Sequence, residues 1–367
     1  MFDENLLEYF IGKQNFSITI YFYAIRVSMF LFVRIVYLIF LVSPAFIAVG
    51  KDHAPIVVHT IASHISLTDS TIKKFPIGFT DDPVVISDSA TCIIPFGRSG
   101  NLILIKGRAD TTEGNFILDT GAPGLVLNLT YFRNYRAIQG DEGESGGITG
   151  SVKQSSRVGV DSFSFGGIHY YHAVAERVSL GQIENSKHIK ILGLIGMQFL
   201  KQFEMIIDYE NSLIYLHLIK RKEAKTYKSD MLKDTTAYRT VPIEIRENKL
   251  LCYGEAAGKK LTFVIDCAAE SNVLDSRLSN KVFEQVQITR RVMLNGVGEK
   301  KVEALYGDIR DIEIGGGTIS NMPVLITNLE KMCFSYNDCI DGMLGFDFLS
   351  LHKIGFNFVN HKMYIWK

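Results

Sequence analysis

Two aspartates in this chain stand in matching surroundings. Asp119 follows the apolar run 116–118 and opens onto Thr120, Gly121 and Ala122; Asp266 follows the apolar run 263–265 and opens onto Cys267, Ala268 and Ala269. An aspartate between an apolar strand and two tiny residues is held at a sharp turn between buried strands. A carboxylate there is costly unless it is hydrogen-bonded, paired or functional. A single copy has an ordinary reading, a turn residue bonding its own backbone. Two copies in symmetric positions favour a facing carboxylate pair, so the chemistry in view is that of Asp119 and Asp266 acting together.

Other chemistries find little support. The five cysteines (Cys92, Cys252, Cys267, Cys333 and Cys339) fit no zinc-ligand spacing, because the chain has no CxxC and no HExxH. The nine histidines are scattered and read as structural or surface residues. Lysine plus arginine balances aspartate plus glutamate, 39 against 39, and no basic run is interleaved with aromatics. Nothing therefore draws the chain to nucleic acid. Cys333 and Cys339 flank a short polar loop and can form a disulfide in an oxidising compartment; two free, buried cysteines are the alternative.

The elements that position the aspartates come from a duplication. The offset between them, 266 − 119 = 147, also relates Pro95 to Pro242, Asn101 to Asn248 and Gly107 to Gly254. Gly150 and Gly298 are 148 apart, and Leu194 to Leu200 matches Met343 to Leu349 at 149. A register that drifts by so little is what duplication with small loop insertions leaves behind. Strand-length runs (102–106, 116–118, 158–165 and 312–314) are bounded by glycine or polar turns. Gly166-Gly167 and Gly315-Gly316-Gly317 read as hairpin turns, and 192–200 and 343–350 as carrying one short helical turn each. The sequence thus divides into a leader at 1–50, a lead-in at 51–90, a first mostly-β lobe at 91–222, a polar linker at 223–239 and a second lobe at 240–367.

From Ile18 to Val49 the chain is almost wholly apolar, interrupted by Arg26 and Arg34. This stretch is long enough for a membrane anchor. It also reads as a signal peptide whose apolar run begins near Met29 and ends at the small residues Ser43-Pro44-Ala45, the preferred reading of the two. Either sends the folded part out of the cytoplasm, to the periplasm, the exterior or a membrane surface. No cysteine follows the apolar run until Cys92, which argues against a lipoprotein.

From about Thr91 to Lys367 the pattern resembles the retropepsin-like and pepsin-like aspartic proteases. The turn at Asp119-Thr120-Gly121-Ala122 is similar to the family's active-site loop. Gly146 to Gly150 followed by 158–167 resembles the flap hairpin and the strand after it, and Leu194-Ile195-Gly196 and Met343-Leu344-Gly345 resemble the strand that threads behind the aspartate loop. The resemblance implies a bilobal, mostly-β acid-protease fold, two retropepsin-like barrel lobes about a pseudo-twofold axis with the aspartates meeting between them. A chain carrying both halves then works as a monomer on a peptide or protein substrate, with no metal or organic cofactor. By the same resemblance one carboxylate activates a water and the other, protonated, assists the peptide carbonyl and the leaving amine. Gly147, Ile148, Thr149 and Gly150 become a flap over the substrate, with Gly296, Val297 and Gly298 as a smaller second one.

The second loop departs from this pattern. Cys267 stands where the family has Thr or Ser, whose hydroxyl bonds across to the other loop, and a thiol is a weak donor and acceptor. Ala268 adds a methyl where the family has glycine, and Glu270 adds a carboxylate expected to face solvent. Three readings follow: an extracytoplasmic endopeptidase, a pseudoprotease of the same fold that binds peptides or a partner, and a structural or carbohydrate-associated β protein. Ala122 and Ala269 further imply that neither aspartate receives a hydroxyl donor from the position after the triplet. A pH optimum between mildly acidic and neutral is expected.

Overall fold

The computed structural model describes residues 81–86, 89–138, 145–147, 150–152, 155–294, 302–336 and 339–367. The apolar stretch 18–49 lies outside them. Among the described residues no helix is long and apolar enough to cross a membrane.

The first lobe begins with β1 (Val84–Val85), β2 (Thr91–Pro95), β3 (Gly97–Ser99), β4 (Leu102–Ala109), β5 (Thr112–Leu118) and β6 (Leu125–Asn128). A short hairpin, β7 (Ser145–Gly147) and β8 (Gly150–Val152), precedes the long strands β9 (Ser156–Phe165) and β10 (Ile168–Val178). Helix α1 (Gly181–Lys187), β11 (Gly193–Ile195), a 3-10 turn at Met197–Phe199, β12 (Phe203–Asp208) and β13 (Leu213–Leu218) complete it. The second lobe repeats the plan with β14 (Tyr238–Pro242), β15 (Glu244–Arg246), β16 (Lys249–Ala256), β17 (Lys259–Ile265) and β18 (Val273–Asp275). After α2 (Asn280–Phe283) come β19 (Val286–Leu294), β20 (Val302–Ile314), β21 (Gly317–Thr327) and α3 (Glu330–Tyr336). The chain ends with β22 (Gly342–Leu344), α4 (Phe346–Leu349), β23 (Ile354–Asn357) and β24 (Lys362–Trp366).

Each lobe closes on itself. In the first, β10, β6, β11, β5 and β4 lie side by side, and β9 pairs with both β10 and β4 to shut the ring. In the second, β16, β17, β22, β18, β21 and β20 form the same circuit, shut by pairing of β16 with β20. Closure removes open edges from the strands that carry the aspartates. The expected hairpin turns are present: Gly166 and Gly167 join β9 to β10, and Gly315 and Gly316 join β20 to β21, all four with positive φ. Such turns match the twist of the strands they connect. Gly317 already belongs to β21.

A third sheet joins the lobes. Its order, β14-β24-β23-β12-β13-β2, reads the same from either end once the duplication is applied, and the pseudo-twofold axis passes between β23 and β12. The two central strands pair antiparallel, with Met205 opposite Phe356 and Ile206 opposite Gly355, and every residue of both is buried. Polar residues in this buried layer are matched across the axis. Asn357 donates to Glu204 at 2.9 Å, and Lys353 lies 2.8 Å from Asp208.

The first lobe's interior is an aromatic cluster in which Phe116 meets Phe163 edge-to-face at 5.2 Å, Phe163 meets Phe199 at 5.5 Å and Tyr170 meets Phe199 at 4.6 Å. Truncating one such ring to alanine costs about 3–5 kcal/mol. Phe116 thus fixes from below the strand that ends in Asp119.

Candidate active site

Each aspartate leaves the end of a barrel strand and is braced from behind by a second one. β11 runs parallel to β5 and antiparallel to β6, and β22 sits between β17 and β18 in the same way. Asp119 donates its N–H to the Ile195 carbonyl and Asp266 donates its own to Leu344, both at 3.0 Å. The glycines that follow these threading strands are required by space. A Cβ on Gly196 would lie 2.2 Å from the Gly124 carbonyl oxygen, and one on Gly345 would lie 2.5 Å from that of Ala269. Only a residue without a side chain lets the loop close over the thread.

The loops bring the two carboxylates together at the junction of the lobes, half-buried and hydrogen-bonded to each other. Gly121 and Ala122 donate their N–H groups to Asp119 Oδ1 at 2.9 and 2.8 Å, and Ala268 donates to Asp266 Oδ1 at 2.8 Å. Gly121 packs directly on the opposite carboxylate, where a Cβ would fall 2.6 Å from Asp266 Oδ2. Loss of hydration pushes the Asp119 carboxyl well above its ordinary range, and the neighbouring Asp266 charge adds to this against the backbone donors. Burial raises Asp266 as well. Two carboxylates this close hold one proton between them, and the pair titrates as a unit.

Beneath the carboxylates the loops exchange four hydrogen bonds. The Thr120 hydroxyl donates to the Ile265 carbonyl at 2.9 Å and accepts from the Cys267 N–H at 3.0 Å. The Cys267 thiol mirrors it, donating to the Leu118 carbonyl at 3.2 Å and accepting from the Thr120 N–H at 3.3 Å. The weak thiol therefore fills both roles of the missing hydroxyl, with the longer contacts that a larger sulfur requires. Burial, then the Asp266 and Asp119 charges, push its pKa up, so it stays a protonated donor.

The remaining residues singled out by sequence fall differently. Gly147 and Gly150 pair across the β7–β8 hairpin, which approaches α3 of the second lobe. Ile148 and Thr149, and with them Gly296, Val297 and Gly298 of the second hairpin, lie outside the described residues. Ala122 and Ala269 flank the dyad and supply no hydroxyl. Cys333 and Cys339 form a disulfide that ties the end of α3, while Cys92, Cys252 and Cys267 are free and buried. Glu270 does not face solvent freely. Its carboxylate is held by the first lobe, through Lys187 Nζ at 2.5 and 2.6 Å and the Asn101 N–H at 3.2 Å. No local pattern signalled this, because Lys187 is 83 positions away in the chain. A concavity of about 180 Å³ bounded by Arg239, Phe348, His352 and Ile365 lies in the second lobe and does not include the dyad.

A closed-barrel duplication with two threaded, reciprocally bonded aspartate loops defines a bilobal aspartic-protease fold. Residues 253–348, which hold Asp266 and its threading strand, match the model of the aspartyl protease family. The matched lobe is the one whose loop departs to Asp-Cys-Ala. No curated protein matches the sequence. Among solved structures the chain is similar to basic 7S globulin from soybean, at 10% identity and a TM-score of 0.39, over 75% of this chain and 94% of that one.

Proposed function

We propose that the protein is an extracytoplasmic aspartic endopeptidase that hydrolyses peptide bonds with a water activated between Asp119 and Asp266. The observation that carries this reading is the hydrogen-bonded carboxylate pair over a complete four-bond exchange between the loops. The ionised carboxylate takes a proton from the water as it attacks the carbonyl carbon. The protonated one hydrogen-bonds the carbonyl oxygen and later helps to protonate the departing amine. Since one chain supplies both aspartates, a monomer holds the whole site. The Cys333–Cys339 disulfide and the apolar stretch 18–49 favour a compartment outside the cytoplasm.

Asp-Cys-Ala in the second loop favours one other reading, a pseudoprotease that holds peptides or a partner protein at the same place. The test is incubation of the purified chain with a mixed peptide library, with and without pepstatin, alongside Asp119→Asn. Cleavage that pepstatin blocks and the variant lacks is the expected result. Peptide binding without turnover overturns the protease reading and leaves the pseudoprotease one.

A further inference from the structure

The second aspartate loop is fastened to the first lobe at its outer end, and among the described residues the fastening has no counterpart on the first loop. Glu270 lies four residues beyond Asp266 on the same loop. Lys187, the last residue of α1, reaches both of its carboxylate oxygens, at 2.5 and 2.6 Å. The turn from Ser99 to Asn101 cradles this pair. Asn101 donates its N–H to Glu270 Oε1 at 3.2 Å and its side-chain amide to the Glu270 carbonyl at 3.0 Å, while the Ser99 hydroxyl donates to the Lys187 carbonyl at 3.5 Å. Between them Gly100 has φ +60, and a Cβ there would fall 2.9 Å from Glu270 Oε1 and 3.2 Å from Lys187 Nζ. The positive φ favours glycine there, and a side chain at that position would push on the ends of the Glu270 and Lys187 side chains.

A second contact anchors the same loop. The Ala268 methyl packs against the first lobe's outer apolar cluster, which includes Leu102, Leu104 and Leu194. Under the duplication Glu270 corresponds to Pro123 and Asn101 to Asn248, so the mirrored strut would need a carboxylate that the first loop lacks.

The geometry points to Glu270 and Lys187 as a positioning strut, set on the Ser99–Asn101 turn, that holds the second loop so that Asp266 meets Asp119 in register. The strut is one-sided: the first lobe is the base, and the second loop is aligned to it. This inference rests on the protease reading for its kinetic consequence but not for its geometry. Misplacing a reacting group by a fraction of its working distance lowers turnover more than substrate binding. The lysine head is largely covered and the glutamate partly so, with 19% and 38% of each side chain exposed, which limits replacement of the contact by water.

The test compares Glu270→Ala, Glu270→Gln and Lys187→Ala in the full chain. Glu270→Ala should lower kcat about tenfold with KM within about twofold. Glu270→Gln keeps an oxygen for Lys187 and Asn101 and should recover most of the loss. Lys187→Ala should reproduce the kcat defect, and it carries the test if Glu270→Ala does not fold. An unchanged kcat in the folded variants, or a loss confined to KM, overturns the strut. The second readout is the ¹³C carboxyl resonance of Asp266 at fixed pH, which needs no turnover. It should move in Glu270→Ala and return in Glu270→Gln; a resonance that stays in place overturns the inference. If the parent cleaves nothing, the protease reading fails while this resonance still decides the strut.

Discussion

The first aspartate loop presents a hydroxyl at its second position and bare backbone at its third; the second loop presents a thiol and a methyl at the same places. Both complete the four-bond exchange, yet they are not interchangeable. Gly121 lies against the Asp266 carboxylate with no room for a Cβ, whereas Ala268 packs against the outer apolar cluster of the first lobe. A duplicated site need not be conserved residue by residue in both halves. The half with space around it can change, provided that each change finds a partner in the opposite lobe.

The largest effects should come from the part in which the loops are equal. Asp119→Asn and Asp266→Asn should each lower cleavage by about 10³-fold or more, because the two groups act as a unit. Asp119→Asn should also raise the melting temperature at neutral pH by a few degrees. The sign follows from linkage. A carboxyl whose folded pKa is raised contributes stability below its unfolded pKa, and that contribution is lost as pH rises through the folded value. The raised Asp119 and Asp266 are therefore a burden at neutral pH, and an asparagine does not carry it. Thermal melts at pH 7 and pH 3 check this: the variant's advantage should shrink in acid.

Next in size is the third position. Gly121→Ala should cost on the order of 100-fold in turnover, since its Cβ would displace the Asp266 carboxylate. Ala268→Gly should leave turnover within a fewfold and cost about 1 kcal/mol in stability, for the lost methyl and the freer backbone. Similar kinetic losses in the two variants would break the comparison.

The second position should show a smaller difference. Thr120→Val removes a donor and an acceptor at a buried place and should destabilise the chain by about 1–3 kcal/mol in denaturant titration. Cys267→Thr restores a hydroxyl and should keep or raise activity. A large loss on Cys267→Thr would mean that the larger sulfur is required to span the two loops.

Smallest is the effect at Ala122. A serine there offers a hydroxyl donor to ionised Asp119, which favours the charged form and lowers the pair's apparent pKa. The acid limb of the pH–rate profile should move to lower pH in Ala122→Ser, from a parent optimum between mildly acidic and neutral. An upward shift would show that another group sets the dyad's proton affinity.

Much of the fold was legible because duplication writes itself into the sequence twice. The matched runs ending in Asp119 and Asp266, the threading segments at Leu194 and Met343, and the glycine turns at 166–167 and 315–316 all follow from local chemistry. Strands extended beyond their apolar cores, as β20 does from Val302 to Ile314, because alternate residues face solvent. Helix α1 was not legible: Gly181–Lys187 has no buried residue and hence no apolar period to find. Nor was the pairing of β12 with β23, since a duplication marks equivalent segments without saying that they touch. The role of Glu270 was invisible for a related reason, and Cys267 was legible only as standing in the place of a cross-loop hydroxyl. Their partners lie across the lobe junction, and only the closed structure brings them within reach.

The sheet shared by the lobes bears on how the chain could be cut and rejoined. The linker between β13 and β14 crosses no barrel, and Glu204–Asn357, Lys353–Asp208 and the Thr120–Cys267 exchange each take one partner from either side of it. A single break in the linker, between residues 221 and 229, would leave two fragments whose complementary surfaces include half of the site each. Neither fragment holds a complete carboxylate pair, so reassembly of the two would be read directly as recovery of the dyad, and the molecule is in this sense a split reporter of its own lobe association.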